Sequence, residues 1–130
     1  MIVDASAILA ILRDEPEGAE FSQVLERREE FRISAVNYVE AAIVIDASRD
    51  HIASRRFDDL FRETPLTIEP ITPRQAHVAR EAYRDFGKGR HRARLNLGDC
   101  FAYALARVTG EPLLYKGSDF NHTDIEAAER

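Results

Sequence analysis

The sequence predicts an α/β fold with a central, mainly parallel sheet of four to five strands. Short apolar runs suited to buried strands recur along the chain, and longer segments with the apolar spacing of helices separate them. A helix between successive strands is the connection that parallel strands require. The chain has 130 residues, enough for one ordinary domain and too few for two, so residues 1–130 are predicted to form a single domain.

The first half of the chain predicts two strands and four helices. The strands are residues 2–3 and 31–34, and the helices are 7–13, 16–28, 36–47 and one that contains Ile52 to Phe61. Ser6 is a suitable N-cap for the first helix, and Pro16 fits the first turn of the second. The third helix is expected to bury the apolar residues that repeat at helical spacing, Val36, Val39, Ile43 and Ala47.

The second half predicts further strands that alternate with two helices. In chain order these are a strand at 66–68, a helix at 73–86, a helix at about 98–108, a strand at 112–115 and a short terminal strand at Ile125. Gly87 and Gly110 are expected to end the two helices. The segment between the helices is basic and poorly periodic, so it is predicted to be a loop.

Cysteine content and hydropathy indicate the compartment. Cys100 is the only cysteine, so no intrachain disulfide is expected and a reducing cytoplasm is the predicted location. A basic leader and an apolar run of about 18 residues are both absent, so neither a signal peptide nor a membrane span is expected.

The charge is unevenly distributed. The net charge of −5 argues against a protein that coats nucleic acid by charge alone. A basic run nevertheless lies between Asp85 and Asp99 with no acid inside it, and it consists of Lys88, Arg90, Arg92 and Arg94. A strongly positive surface patch is therefore predicted just before Asp99.

Four carboxylates lie where a folding chain least easily neutralises them. Asp4 follows the first strand and Asp119 follows the fourth, so both are expected at the carboxyl edge of the sheet. Glu40 and Asp99 lie within apolar patterns of the third and last long helices, which direct them inward. An unpaired charge in such a position is costly. The four side chains are therefore expected to converge on one site.

Mutual repulsion of these acids favours a bound cation. Two like charges about 4 Å apart repel by roughly 4 kcal/mol at an effective dielectric constant of about 20, so clustered carboxylates protonate or splay apart unless cations join them. A set of oxygen ligands without matching His or Cys residues favours Mg²⁺, with Mn²⁺ as a substitute, over zinc. The sequence therefore predicts a site for a hard divalent metal.

The motifs around the four acids resemble those of the PIN-domain ribonucleases, and within them the VapC-type toxins of bacterial toxin–antitoxin pairs. The resemblance spans nearly the whole chain and rests on residues 2–7, the helical Glu40, residues 95–104 and residues 113–120. It implies a PIN-like three-layer α/β/α fold. It also implies an Mg²⁺-dependent endoribonuclease that hydrolyses RNA phosphodiester bonds by metal-activated water.

The resemblance assigns roles to the acids. It implies that Asp4, Glu40, Asp99 and Asp119 form the catalytic metal site, with Asp4 and Asp99 as direct ligands and Glu40 and Asp119 bound directly or through water. It further implies a homodimer and a VapB-like antitoxin, a segment of which crosses the site and offers a basic residue to the carboxylates. The RNA target and the number of metal ions stay open.

Several other residues are supporting candidates. Ser6 matches the family's small hydroxyl after the first Asp, and Asn96 is placed to orient Asp99. The basic run of Lys88, Arg90, Arg92 and Arg94, together with Lys116, is a candidate RNA contact. The roles of Asp124, as a possible fifth acid, of Asn37, where the family often has Ser or Thr, and of His122 are left open.

Three alternatives compete with the ribonuclease interpretation. A non-cleaving PIN scaffold that binds RNA or a regulatory partner is disfavoured because all four acids are present. A phosphoryl-accepting receiver domain needs an acidic pair after the first strand, where this chain has only Asp4. A haloacid-dehalogenase-like phosphatase needs Asp-x-Asp, where this chain has Asp4-Ala5-Ser6.

Overall fold

A computed structural model describes all 130 residues, and it has four strands and six helices. In chain order they are β1 (Ile2–Val3), α1 (Ala5–Leu12), α2 (Gly18–Leu25), β2 (Phe31–Ser34), α3 (Ala35–Ala47), α4 (His51–Glu63), β3 (Leu66–Glu69), α5 (Pro73–Phe86), α6 (Leu97–Thr109) and β4 (Leu113–Leu114). A short 3₁₀ helix, Asp119–His122, follows β4.

The four strands form one parallel sheet in the order β3-β2-β1-β4. Ile2 is paired with Arg32 of β2 on one side and with Leu113 of β4 on the other, so the two-residue β1 is internal. Because every pairing is parallel, all four strands end at the same edge of the sheet. The predicted mainly parallel sheet is confirmed.

Two apolar cores lie on opposite faces of this sheet. Val3, Phe31, Ile33 and Leu114 belong to a core completed by α1, α2, α3 and α4. On the other face, Ile2 and Leu113 pack with α5, α6 and the buried loop residues Ala93 and Leu95. Adjacent residues of β1 and of β4 thus serve opposite faces, as the pleat of a strand requires. The α/β/α layering expected from the resemblance is confirmed.

The buried face of α3 differs from the predicted one. Asn37, Ala41 and Ile45 are buried, whereas the side chains of Val39 and Ile43 are 50% and 61% exposed. The helix itself is confirmed, but the predicted stripe is wrong. Helix α3 carries apolar residues on most of its own faces. Their spacing therefore predicts a helix but does not predict which face is buried in the core.

Two smaller expectations also change. Helix α2 spans Gly18–Leu25 and is shorter than predicted, since Pro16 lies in the preceding turn and Glu26 already closes the helix with 3₁₀-type bonding. The short terminal strand reduces to a single parallel bridge between Ala127 and Leu113, two residues beyond Ile125. No helix is both long and apolar enough to cross a lipid bilayer.

Candidate acidic site

The carboxyl edge of the sheet positions the candidate site. Asp4 directly follows β1, and Asp119 begins the 3₁₀ helix five residues after β4. Helix α3 starts directly after β2 and carries Glu40 in its second turn, while Asp99 lies in the first turn of α6. Two strand ends and two helices therefore supply the four acids that the sequence singled out.

Asp4 is buried and uses only one of its two carboxylate oxygens within the protein. Its side chain is 4% exposed. Its Oδ2 accepts a hydrogen bond from the Ser6 backbone N–H at 3.0 Å, which makes Asp4 the N-cap of α1. The expectation that Ser6 caps this helix is therefore wrong. The other oxygen, Oδ1, is buried without a hydrogen-bond partner.

The environment of Asp4 raises its pKa. Burial is the main cause and brings the pKa to about 6, against hydrogen bonds from Ser6 that lower it, while the nearby Glu40 charge adds to the rise. Burial therefore destabilises the charged form of Asp4. A cation bound at Oδ1 would stabilise that charged form.

Asp99 is fixed by a reciprocal cap at the start of α6. The Asn96 side chain accepts from the Asp99 backbone N–H at 2.9 Å, and Asp99 Oδ2 accepts from the Asn96 backbone N–H at 3.0 Å. Asn96 thus orients Asp99. Burial raises the Asp99 pKa to about 6, with the charges of Asp4 and Asp119 adding to the rise.

The Glu40 side chain projects from α3 toward the first turn of α6. Its Oε1 accepts a long hydrogen bond of 3.4 Å from Asn37 Nδ2. Burial raises the pKa of the half-buried Glu40, and the Asp99 charge contributes to the rise. A Cβ added at Gly98 would overlap the Glu40 carboxylate, so the glycine provides the space in which this acid lies.

Asp119 is exposed at the end of a well-anchored turn. Gly117 has φ 99°, a conformation that glycine adopts readily, and it leads the chain out of the sheet. Buried Phe120 packs against the Tyr115 ring, and the Tyr115 hydroxyl donates to Asn121 Oδ1 at 2.5 Å. These contacts hold Asp119 where its charge acts on Asp99.

The four acids influence one another but do not form a tight cage. Asp4, Glu40 and Asp119 each act electrostatically on at least one other member of the set. No three Asp, Glu, His or Cys side chains converge closely enough to enclose a metal ion by themselves. Mg²⁺ usually keeps several waters and takes only one or two carboxylates, so an open set of oxygens with the unpartnered Asp4 Oδ1 fits it.

Ser6 connects the first turn of α1 with the segment that follows β4. Its hydroxyl oxygen accepts a hydrogen bond of 2.9 Å from the Lys116 backbone N–H. The Lys116 ammonium is paired with Glu15 and with Glu17, the latter at 3.3 Å. These ion pairs occupy Lys116 within the protein, and its contact with RNA stays a prediction.

The basic run before Asp99 is exposed and uncompensated. Lys88, Arg90, Arg92 and Arg94 are all exposed, and none forms an ion pair. Their loop is anchored by buried Ala93 and Leu95 and by backbone hydrogen bonds that join Leu95 to Phe86 and Lys88. The positive side chains therefore project from a fixed base next to the Asn96–Asp99 cap.

The open candidates Asp124 and His122 are now placed. Asp124 accepts from the Tyr103 hydroxyl at 2.6 Å and from Arg107 at 3.2 Å, so it anchors the C-terminal segment to α6. His122 is exposed and belongs to no set of potential metal ligands. Cys100 is buried, as expected, and burial raises the pKa of its thiol to about 11, which keeps it protonated.

Comparison with known proteins decides the family. A sequence profile of the PIN domain matches residues 1–126. The chain belongs to the PIN-domain family. Among its relatives, ribonuclease VapC28 of Mycobacterium tuberculosis is 51% identical over 129 residues, which cover 98% of this chain and 97% of that protein. Ribonuclease VapC42 of the same species is 48% identical, with 98% of each chain covered. These relatives place the PIN-domain chain in the VapC group.

Solved structures of other toxins share the fold of this PIN domain. Mycobacterium tuberculosis VapC20, described as a sarcin-ricin loop cleaving toxin, superposes with a TM-score of 0.78 at 16% identity over 99% of this chain and 98% of its own. VapBC2 of Rickettsia felis, solved with a DNA fragment from its promoter, gives a TM-score of 0.73 at 13% identity, covering 98% of this chain and 96% of the other.

Proposed function

We propose that this PIN domain is an Mg²⁺-dependent endoribonuclease and the toxin of a toxin–antitoxin pair, with Mn²⁺ as a possible substitute metal. The observation that carries the proposal is the buried Asp4 carboxylate, which leaves Oδ1 without a partner at the carboxyl edge of the sheet, among three further acids. The VapC ribonucleases to which the chain is about half identical support the same activity.

Each acid has a part in holding the cation. Asp4 would contribute Oδ1, because Oδ2 is engaged in capping α1. Asp99 would contribute the oxygen that its cap with Asn96 leaves free. Glu40 and Asp119 would complete the set directly or through water. A bound Mg²⁺ would offset charge on the phosphate oxygens and lower the pKa of a water molecule.

The chain's own groups account for the approach of RNA. The charge-bearing ends of Lys88, Arg92 and Arg94 are free to contact phosphates, since no acid compensates them. The Arg90 guanidinium lies over the Tyr83 ring, 5.5 Å from its centre, and no acid compensates it either. Such contacts position a nucleic acid without reading its sequence. The acids at the sheet edge alone would repel RNA, so the basic run gives this negatively charged protein a side from which RNA can approach.

We also propose that the toxin acts in the cytoplasm and has two protein partners. Val39 and Ile43 beside Glu40, and Leu97 two residues before Asp99, are large apolar side chains at least 50% exposed. A second copy of the chain would cover this apolar surface. A VapB-like antitoxin would lay a basic residue against the acids. The toxin–antitoxin complex from Klebsiella pneumoniae shares the fold, which supports an antitoxin as a partner. Light scattering tests the dimer, and a monomeric mass at micromolar concentration would contradict it.

The activity test uses substitutions that keep side-chain shape. Purified protein free of antitoxin is incubated with total RNA and Mg²⁺ or Mn²⁺, and new RNA ends are mapped. We expect discrete cleavage by the wild type and loss of it in Asp4→Asn and Asp99→Asn. Asp58→Asn, which removes an exposed charge on α4, is the matched control and should cleave normally. Equal cleavage by all four proteins would contradict the proposed mechanism, and binding of RNA without cleavage by the wild type would favour a non-cleaving scaffold.

A further inference from the structure

Asn37 is a fully buried amide that contacts both halves of the acidic site. Its side chain is 0% exposed on α3, one turn before Glu40. Its Nδ2 donates to the Gly98 carbonyl at 2.9 Å and also lies 3.4 Å from Glu40 Oε1. Because Gly98 immediately precedes Asp99, one amide group connects Glu40 with the backbone that carries Asp99.

The orientation of this amide follows from its neighbours. The Gly98 carbonyl and the Glu40 carboxylate are both acceptors, so only the NH₂ group of Asn37 can satisfy them. The reversed orientation would bring the amide oxygen against two other oxygens. Donation from the Asn37 NH₂ group to both acceptors is therefore dictated by the chemistry of the site.

Gly98 contributes the second half of the arrangement. All three atoms nearest to an added Cβ belong to the Glu40 carboxylate group, so Glu40 lies directly against the backbone of the first turn of α6. The unpaired N–H groups of a first helical turn favour a negative charge nearby. Asn37 on one side and Gly98 on the other leave the Glu40 carboxylate little room to move.

Stability alone does not explain an amide at this position. Asn37 Oδ1 is buried without a hydrogen-bond partner, an arrangement that lowers stability. An apolar side chain of similar size would avoid that cost. The retained amide is explained by what its Nδ2 does for Glu40 and for the residue before Asp99.

We propose that Asn37 is a positioning residue, which holds the Glu40 carboxylate beside Asp99 and so sets the spacing of the two helix-borne acids. This role rests on the proposed metal-dependent cleavage. It means that a fully buried residue of α3 contributes to the site, although it does not bind the metal itself. Without the Asn37 amide, the Glu40 side chain loses the one hydrogen bond that it makes within the protein.

The test compares two buried amides. Asn37→Val removes the donor at similar volume, and Asn37→Thr returns a hydroxyl donor. Gln75→Leu is the matched control, because Gln75 on α5 is also buried and its Oε1 also lacks a partner, yet its side chain forms no hydrogen bond with any of the four acids. Mn²⁺ affinity is measured from the electron paramagnetic resonance signal of the free ion, and kcat and KM are measured on an RNA fragment that contains a mapped cleavage site. Melting temperature is recorded for every variant.

We expect Asn37→Val to weaken Mn²⁺ binding and to lower kcat by about 10- to 100-fold each, with KM little changed and no loss of melting temperature. Asn37→Thr should recover part of the Mn²⁺ affinity and part of kcat. Gln75→Leu should match the wild type in binding and cleavage.

The proposal is overturned if Asn37→Val binds Mn²⁺ and cleaves like the wild type, or if its losses only follow a lower melting temperature. If the wild type cleaves RNA and Asn37→Val cleaves it equally well, the positioning role is overturned but the proposed function stands. A wild type that neither binds Mn²⁺ nor cleaves RNA would overturn both.

Discussion

At the scale of single residues, the two oxygens of Asp4 have separate tasks. One caps α1 through the Ser6 backbone N–H, and the other is left without a partner in a buried position. The cap ties the carboxylate to the helix and thereby fixes where the free oxygen lies. A buried carboxylate whose pKa is shifted by its surroundings is typical of functional sites.

The raised pKa of Asp4 predicts a pH-dependent loss of stability in metal-free protein. Below about pH 4 the folded and unfolded chains both hold the proton, so Asp4 has no effect. Between pH 4 and pH 6 the unfolded chain releases the proton first, because folding raises the pKa from 3.8 to about 6. Above pH 6 the ionised Asp4 should therefore lower the free energy of unfolding by about 3 kcal/mol.

Asp4→Asn isolates this effect, since the asparagine side chain retains a capping oxygen. In urea titrations with EDTA, the stability gain of Asp4→Asn over the wild type should be near zero at pH 4 and rise to its full value above pH 6. Asp58→Asn supplies the baseline for removing an exposed charge. A gain that is the same at every pH would contradict the burial argument. Addition of Mg²⁺ at pH 7.5 should raise the melting temperature of the wild type more than that of Asp4→Asn.

At the scale of helices and strands, the caps connect stability with the site. Helix α6 begins with the reciprocal pair of Asn96 and Asp99, and α1 begins with Asp4. The same groups that satisfy the open N–H groups of a helix also hold two of the candidate metal ligands. Damage to a cap should therefore affect folding and activity together.

Asn96 offers a direct measurement of this link. Asn96→Ala removes the capping oxygen and should lower the free energy of unfolding by about 1 kcal/mol. It should also lower cleavage, because the Asp99 backbone N–H loses its acceptor and the first turn that carries the Asp99 side chain is held less firmly. Asn96→Ser keeps a capping oxygen and should recover most of the stability and most of the activity. Full activity in Asn96→Ala, measured well below its melting temperature, would show that the cap does not orient Asp99.

The sequence predicts the order of the helices and strands and the candidate acids. It does not predict which face of each helix is buried. Residues 31–34 and the chain positions of the helices follow from local patterns. Asp4, Glu40 and Asp99 stand out as charges within apolar patterns, and Asp119 stands out by its place in a Gly-Ser turn after the last strand. The burial of Asn37 could not be predicted in the same way. Its contact with Gly98 joins residues 61 positions apart, which depends on how α3 packs against α6.

Ser6 illustrates the same limit at closer range. Its type and position fit an N-cap, yet Asp4 two residues earlier takes that role and Ser6 instead accepts from Lys116. Local propensity allows either residue to cap the helix. The partner of the Ser6 hydroxyl lies 110 residues away in the chain, so its role could not be predicted from local sequence.

For the molecule as a whole, charge is divided between regions. The net charge is −5, yet the exposed basic run at residues 88–94 has no compensating ion pair and leads directly to the Asn96–Asp99 cap. Charge placed in this way can guide a polyanion to one side of an acidic protein.

This division of charge predicts a change in the salt dependence of RNA binding. In the cleavage-deficient Asp99→Asn background, Arg92→Gln with Arg94→Gln should weaken RNA binding and reduce the slope of log affinity against log salt by about 1 to 2. Arg28→Gln with Arg49→Gln is the matched control. Arg28 precedes β2 and Arg49 follows α3, so both lie away from the carboxyl edge of the sheet. Equal losses in the two double variants would show that net charge alone governs binding.

The pairing of the first strand with the last has a consequence for the timing of synthesis. β1 contains residues 2–3 and β4 contains residues 113–114, and the acids lie at positions 4, 40, 99 and 119. A growing chain therefore has neither a complete sheet nor its fourth carboxylate until residues 113–119 have left the ribosome. For a protein proposed to cut RNA, this order of assembly delays activity until β4 and Asp119 have been synthesised and have joined the rest of the fold.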